Sequence, residues 1–275
     1  MRFTVLGAGG FIGSHLVTYL QRQGHTCFSP QRDDPRIYSE NLGHVIYCIG
    51  LTADFRKRPF DTVRAHVNVL ADVLEKSQFD SLLYLSSTRI YGNSAVASEL
   101  SLLQADTQNP SDLYNLSKMM GESLCFSCSK PNVRAVRLSN VVGDDFTSEN
   151  FLNAVIRDAV ENKHVRVNTS PDSQKDYVYI DDVVELLVKI AANGKQRLYN
   201  LAGGRNVTNR ELLEDIAAIT GCEVEFSGDA PEIVFPPISI ELLVTEFGFA
   251  PRPLKDSLSA VVRDYQQSVT LDAPK

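Results

Sequence analysis

The chain has 275 residues, 43% of them hydrophobic and 22% charged. That size and balance suit one large α/β domain carrying a lobe, and exclude a small binding module, a disordered segment, a collagen-like repeat and a coiled coil. A net charge of −7, from 27 Lys and Arg against 34 Asp and Glu, excludes nucleic acid or an anionic membrane as the main partner, but leaves room for a local site that binds a small anion.

The predicted elements follow from hydrophobic patterning, and short apolar or β-branched runs alternate with segments of helical period through the first half. Predicted strands cover Phe3–Leu6, Thr26–Ser29, His44–Cys48, Leu82–Ser86, Val133–Leu138, Tyr177–Ile180 and Leu198–Leu201. Predicted helices cover Phe11–Gln23, Arg64–Lys76, Leu113–Ser127, Asn150–Glu161, Asp181–Ala192, Thr208–Thr220 and Leu254–Tyr265. Thr208 with Glu211 forms a capping box at the start of its helix, and Gly221 stops that helix. Alternation of this kind means βαβ units and a buried, doubly wound parallel sheet, Rossmann-like in class. Beyond Gly143 the rhythm loosens into turns such as Ser227-Gly228-Asp229-Ala230-Pro231 and Phe235-Pro236-Pro237. The expected organisation is a dinucleotide-binding domain over 1–145, to which 176–201 returns, and a smaller α/β substrate lobe over 146–275.

Five scattered cysteines (Cys27, Cys48, Cys125, Cys128 and Cys222) do not form a disulfide framework, so a reducing cytoplasm is expected. No apolar run reaches the roughly 18 residues that span a bilayer. The first residues, Met1-Arg2-Phe3-Thr4-Val5-Leu6, imitate the start of a secretory signal, yet Gly7, Gly9, Gly10, Gly13 and His15 interrupt the apolar stretch, which reads as a strand.

Gly7-Ala8-Gly9-Gly10-Phe11-Ile12-Gly13 follows the first strand and opens the first helix. Gly7 suits a tight turn, Gly10 a backbone that approaches a pyrophosphate, and Gly13 close packing of helix on strand. The ligand's charge then meets free N–H groups and the positive end of the helix dipole, which marks Gly7, Gly10, Phe11, Ile12 and Gly13 as a cofactor cradle. After the second strand an acidic residue selects NAD and an arginine NADP. The chain reads Gln31-Arg32-Asp33-Asp34 there, so Arg32 tilts the expectation toward NADP, a shift of one or two residues brings in Asp33, and a solvated charged turn is the bland alternative.

Tyr114 and Lys118 stand four residues apart, on one face of a predicted helix. A free phenol ionises near pH 10, and a fixed ammonium beside it favours the phenolate that a general base requires. Tyr84-Leu85-Ser86-Ser87-Thr88 runs an apolar strand into hydroxyl side chains. Ligands of open α/β sheets bind outside the carboxyl ends of strands, so a hydroxyl there can orient a substrate carbonyl or alkoxide.

These motifs resemble the extended branch of the short-chain dehydrogenase/reductase superfamily, the NAD-dependent epimerase/dehydratase family that modifies nucleotide sugars. The matching runs are Gly7/Gly10/Gly13, the Ser-Ser-x-x-x-Tyr-Gly run ending at Gly92, Glu99 followed by Pro110 and Tyr114/Lys118, Arg137 through Gly143, Asn150-Phe151, Lys175 through Val183, and Tyr199 through Gly204. The resemblance implies that Tyr114 is the acid/base, that Lys118 supports it and that Ser87 holds the reacting oxygen. It further implies that Ile49, Gly50 and Leu51 border the cofactor, that Thr88, Asn140, Asn150, Phe151, Arg166, Val167 and Lys175 lie near a nucleotide-linked sugar, and that the protein is a homodimer.

Three departures narrow the implied chemistry. Sugar 4,6-dehydratases follow the hydroxyl residue with an Asp-Glu pair, whereas this chain has Thr88 and Arg89, which argues against water elimination. Asp144 replaces the usual proline after Gly143, and Lys175 replaces an arginine, which weakens the grip on a diphosphate because lysine makes no bidentate contact. The expected activities are a nucleotide-sugar epimerase that retains its cofactor or a 4-ketoreductase that consumes NADPH; a non-catalytic cofactor sensor or scaffold is the alternative. Cys125 and Cys128 read as inert packing, the five histidines form no i, i+4 pair, and no metal is expected.

Overall fold

The computed structural model describes residues 1–52, 54–92, 94–226, 230 and 232–272. Most of the turn at 227–231 lies outside the described residues. The chain begins β1 (Arg2–Leu6), α1 (Phe11–Arg22), β2 (Thr26–Phe28), α2 (Arg36–Ser39) and β3 (His44–Tyr47). Next come α3 (Pro59–Val63), a π-helical stretch over Arg64–Asn68, and α4 (Val69–Lys76). Then follow β4 (Ser81–Ser87), a 3₁₀ turn over Thr88–Tyr91, α5 (Asp112–Ser127), β5 (Val133–Leu138) and β6 (Asn140–Val142). Beyond these lie α6 (Phe151–Arg157), a second π stretch over Asp158–Asn162, β7 (His164–Val167), β8 (Gln174–Tyr179), α7 (Ile180–Asn193) and β9 (Leu198–Leu201). The chain ends with β10 (Asn206–Thr208), α8 (Asn209–Thr220), β11 (Glu223–Phe226), α9 (Glu241–Phe247) and α10 (Leu254–Asp272).

Six parallel strands form the main sheet in the order β2-β1-β3-β4-β5-β9. Its strands are apolar runs because both faces are covered: Leu16, Leu20, Val183 and Leu187 pack on one side, and Leu70, Val73, Tyr84 and Cys125 on the other. β1 pairs in parallel with β2 on one side and β3 on the other, so the order in which strands are added across the sheet reverses there. This opens a crevice at the carboxyl ends, onto which the loops after β1, β3 and β4 emerge. This is the Rossmann-like architecture expected from the sequence.

A second core holds Leu152, Ile156, Val165, Leu213 and Val262, and unites α6, α8 and α10 with small sheets of order β10-β8-β6 and β11-β7. Four of these strands, β6, β7, β10 and β11, are not foreseen by patterning. Each is only three or four residues long, and His164–Val167 alternates exposed with buried residues too briefly to register as a period. The capping box is present: the Glu211 N–H donates to Thr208 Oγ1 at 3.0 Å, and the Thr208 N–H to Glu211 Oε2 at 2.9 Å. Gly221 ends α8 at a φ of 71°. Among the described residues no helix is long and apolar enough to cross a membrane.

Gly121 fixes how closely α5 approaches the sheet, because a Cβ there would lie 2.5 Å from both Cζ and Oη of Tyr84. Tyr84 is fully buried, its ring centroid 5.8 Å from that of Tyr47 and 5.1 Å from Lys118 Nζ, so it has nowhere to go. Alanine improves helix propensity by about 1 kcal/mol, but overpacking a rigid core costs about 1–3 kcal/mol, and the clash with Tyr84 places this site at the upper end. Gly121→Ala is therefore expected to lower the urea midpoint, with a net loss of about 1–2 kcal/mol; an unchanged or higher midpoint would show that Tyr84 yields.

Candidate active site

The glycine loop divides into two kinds of position. A Cβ at Gly13 would fall 2.2 Å from the Gly7 carbonyl oxygen, and one at Gly7, whose φ is +90°, would fall 2.9 Å from the Cys48 backbone. Both glycines are required by the protein's own packing. Gly9 and Gly10 are different: a Cβ at Gly9 meets nothing within 4 Å and one at Gly10 meets only the Gly7 oxygen at 3.5 Å. Nothing in the chain forbids side chains there, so the bare backbone leaves space for an outside group. Gly10 caps α1, whose first turn carries no acidic residue to neutralise the helix dipole. This loop fits the pyrophosphate of a dinucleotide.

β3 delivers Ile49, Gly50 and Leu51 to the same crevice. A Cβ at Gly50 would lie 3.3 Å from His66 Nε2 and 3.6 Å from Lys118 Nζ, so this loop borders the amine that the sequence singles out. A chain of hydrogen bonds holds it there. The Leu51 N–H donates to His66 Nε2 at 3.2 Å, His66 Nδ1 faces Ser117 Oγ at 2.8 Å, and Ser117 Oγ donates to the Tyr114 carbonyl at 2.8 Å. His66 is fully buried, and burial, reinforced by the Lys118 charge, holds its pKa down to about 2. It therefore stays neutral with Nδ1 as donor, the form this relay requires.

Tyr114, 5% exposed, and Lys118, 4% exposed, both project from α5. Burial raises the Tyr114 pKa, and the Ser87 hydroxyl and the Arg89 charge act against that rise. The sequence assigns charge support for this phenol to Lys118, and the structure also brings Arg89 to it, with the guanidinium carbon 5.5 Å from the Tyr114 ring centroid. Lys118 Nζ lies 5.9 Å from that centroid and donates to the Leu85 carbonyl at 2.8 Å. Burial brings Lys118 down to about 7, against the opposing pull of Glu122 and Cys48. Ser87 ends β4 and accepts from the Arg89 N–H at 3.2 Å, which leaves its own hydroxyl proton free to donate.

The remaining predicted residues are placed less uniformly. Thr88 is buried, its Oγ1 donating to the Leu138 carbonyl at 3.4 Å. Asn140 donates from Nδ2 to the Asp176 carbonyl at 2.8 Å, and Asn150 caps α6 by accepting from the Asn153 N–H at 2.9 Å. Lys175 Nζ lies 5.2 Å from the Phe151 ring centroid. Arg166 is exposed on β7 with its Nε 3.8 Å from Glu225 on β11, while Val167 is buried in the second core. Arg32 is exposed beyond β2 and forms no ion pair among the described residues, whereas Asp34 is held by the Arg36 guanidinium at 2.6 Å. Among the described residues no three His, Cys, Asp or Glu side chains gather to hold a metal ion. Burial pushes the Cys125 thiol pKa up, in keeping with a packing role.

Sequence reasoning misses Arg89 as a partner of Tyr114, and His66 altogether. It also misses Glu122, whose carboxylate takes the buried Arg137 guanidinium at 3.0 and 2.8 Å. Glu122 lies one helical turn beyond Lys118, which was its available signal.

The family model for the NAD dependent epimerase/dehydratase family matches residues 3–202. The chain is 26% identical to GDP-6-deoxy-D-mannose reductase of Pseudomonas aeruginosa over 256 residues, covering 83% of each chain. Its fold is similar to that of RMD from Pseudomonas aeruginosa complexed with NADPH, with a TM-score of 0.82 at 21% identity over 98% of this chain and 100% of the other. It is also similar to UDP-glucose 4-epimerase from Thermotoga maritima with UDP-glucose, with a TM-score of 0.85 at 20% identity and the same coverage. Relatives include reductases, epimerases and 4,6-dehydratases. With the glycine cradle, the β4 hydroxyl and the tyrosine–lysine helix in the family's order, and its model matched across the main sheet, the chain belongs to the NAD-dependent epimerase/dehydratase family of extended short-chain dehydrogenases/reductases.

Proposed function

We propose that the protein reduces a ketone carbon of a nucleotide-linked sugar at the expense of NADPH. The observation that carries this reading is the burial of the Tyr114 phenol beside Ser87 and Arg89 in the crevice that the open Gly9-Gly10 backbone serves. The bound nicotinamide supplies the hydride. Tyr114 donates its proton to the oxygen that gains charge as the carbonyl is reduced, and Ser87 donates a hydrogen bond to the same oxygen. Arg89 limits the cost of leaving Tyr114 ionised after the transfer, and His66 keeps α5 registered against the loop at Gly50 and Leu51. In this reading Lys118 holds ribose hydroxyls and returns a proton to Tyr114; its location 5.9 Å from the Tyr114 ring centroid supports that role.

The direction rests on two further features. Arg32 is exposed and unpaired among the described residues, which suits a 2′-phosphate; Asp34 is committed to Arg36, and Asp33, exposed beside Arg32, is the carboxylate that would instead serve the ribose hydroxyls of NAD. Thr88 and Arg89 supply no carboxylate where an elimination reaction would need an acid and a base, so dehydration does not fit this site.

Incubation with NADPH and a panel of nucleotide 4-keto sugars is expected to consume the reduced cofactor. If NADPH persists while nucleotide hexoses interconvert with no cofactor added, the protein is an epimerase that retains NAD. Tyr114→Phe is expected to lower kcat by about 10²–10⁴-fold with cofactor affinity preserved; unchanged turnover would remove Tyr114 from the mechanism, and no turnover of any sugar by the wild type would favour a sensor or scaffold.

Lys118 gives a pH-dependent signature. Its folded pKa, near 7, lies below its unfolded value of 10.5, so between these limits the unfolded chain binds more protons and stability rises with pH. The wild type is therefore expected to gain stability relative to Lys118→Met between pH 7 and about 10 in paired urea titrations. A stability difference that stays flat with pH would show that the folded amine titrates normally.

A further inference from the structure

The site contains more positive charge than the reaction proposed above requires. Arg89 is half-buried, its guanidinium carbon 4.8 Å from the Phe55 ring centroid and 5.5 Å from that of Tyr114. Among the described residues its side chain forms no ion pair and no hydrogen bond. Lys175, also half-buried, lies against Phe151 and forms neither. The Arg56 guanidinium lies 4.5 Å from the Phe55 centroid on the exposed rim, donating to Ser111 Oγ at 3.1 Å. These cations work against one another: after burial, the Arg56 charge lowers the Arg89 pKa and the Arg89 charge lowers that of Lys175. Among the described residues the carboxylate that opposes Arg89 electrostatically, Asp112, accepts from the Asp106 N–H at 2.8 Å and from Asn115 Nδ2 at 3.1 Å.

A half-buried guanidinium with five donors and no acceptor is costly unless a ligand completes it. The diphosphate of a nucleotide sugar is one source of negative charge, and Lys175, at the family's phosphate-binding position, suits it. Arg89 is near enough for its charge to oppose that of Lys175, but its guanidinium faces the Phe55 and Tyr114 rings, whereas Lys175 faces Phe151. It lies over the ring of the residue proposed to exchange a proton with the reacting oxygen, two positions after Ser87 in the chain. What reaches it is the sugar, and the group that matches a planar fork is a carboxylate.

We propose that Arg89 is a specificity-determining residue which reads a carboxylate on the sugar, so that the substrate is a nucleotide-linked uronic acid rather than a neutral hexose. The proposal rests on the nucleotide-sugar reading above and deepens it. The sugar's negative charge neutralises the fork against Tyr114, while Phe55 and Tyr114 hold the guanidinium plane from either ring.

The test is isothermal titration calorimetry on the full chain saturated with cofactor, using UDP-glucuronic acid against UDP-glucose, GDP-mannuronic acid against GDP-mannose, and free UDP and GDP as the diphosphate arm. In at least one pair the acidic member is expected to bind about tenfold or more tightly than its neutral partner, the effect of one well-made charged pair. Arg89→Gln is expected to abolish that ratio and leave the affinities for the neutral sugar and the free diphosphate as they were; Arg89→Lys is expected to restore part of the ratio. Equal affinity for acidic and neutral members in the wild type would overturn the proposal, as would a uniform loss for sugars and free diphosphates in Arg89→Gln, which would make the diphosphate the anion Arg89 holds. Failure of the nucleotide-sugar reading looks different: none of the six ligands binds, and the Arg89 assignment falls with it.

Discussion

A buried ion pair holds this active site in register. Arg137 on β5 and Glu122 on α5 are each about 3% exposed and meet through two hydrogen bonds, while Arg137 Nη1 also donates to the Tyr91 hydroxyl at 2.6 Å. Tyr91 in turn lies within hydrogen-bonding distance of Asn200 Oδ1, and the Asn200 N–H donates to Glu99 Oε1 at 2.8 Å. Replacing such a pair with apolar residues often leaves stability unchanged, so its value here is positional. It ties the helix that carries Tyr114 and Lys118 to the 3₁₀ turn that begins after Ser87. An error of an ångström at that junction would separate the phenol from the hydroxyl on which it depends.

The same constraint explains which parts of the molecule were legible in the sequence. The main sheet is legible because its inner strands are buried on both faces and alternate with helices that are buried on one, so the strand–helix rhythm is strong. The lobe is not, since β6, β7, β10 and β11 are too short for any period and take their pairing from tertiary contacts. Helix interiors were also misread. Arg64–Lys76 and Asn150–Glu161 read as uninterrupted helices, yet each contains or ends in a π-helical stretch, and the helix expected to begin at Arg64 starts five residues earlier at Pro59. A π turn adds one residue to a loop of the helix, and composition carries no mark of it. His66 lies in one of these stretches, fully buried against Ser117 and Leu51, and its part in the site could not be seen from its isolated place in the chain.

Charge is arranged on two scales that oppose each other. The chain carries a net −7 overall, yet the described side chains around Tyr114 place Arg89 and Lys175 in the crevice and Arg56 at its rim with no carboxylate to pair them. Lys118 Nζ lies 5.9 Å from the Tyr114 ring centroid, its charge discouraged by burial. A crevice lined by cations in a chain of net negative charge attracts anions locally against the overall charge. Reading Arg89 only as the loss of a dehydratase carboxylate misses this. Thr88 and Arg89 together lack the expected acid and base, and Arg89 also adds a planar donor fork beside Tyr114.

The glycine loop shows why a motif of this kind is ambiguous until its surroundings are known. Gly7 and Gly13 would be needed even by a chain that bound nothing, because their Cβ atoms would strike the backbone of Cys48 and of Gly7 itself. Among the described residues nothing requires glycine at positions 9 and 10. A packing requirement and a ligand requirement thus give the same letter in the sequence, and only the space above each Cα tells them apart. By that criterion the positions that speak for a dinucleotide are the pair at the tip of the loop, where α1 presents its uncompensated N-terminus, and not the outer two glycines that make the motif recognisable.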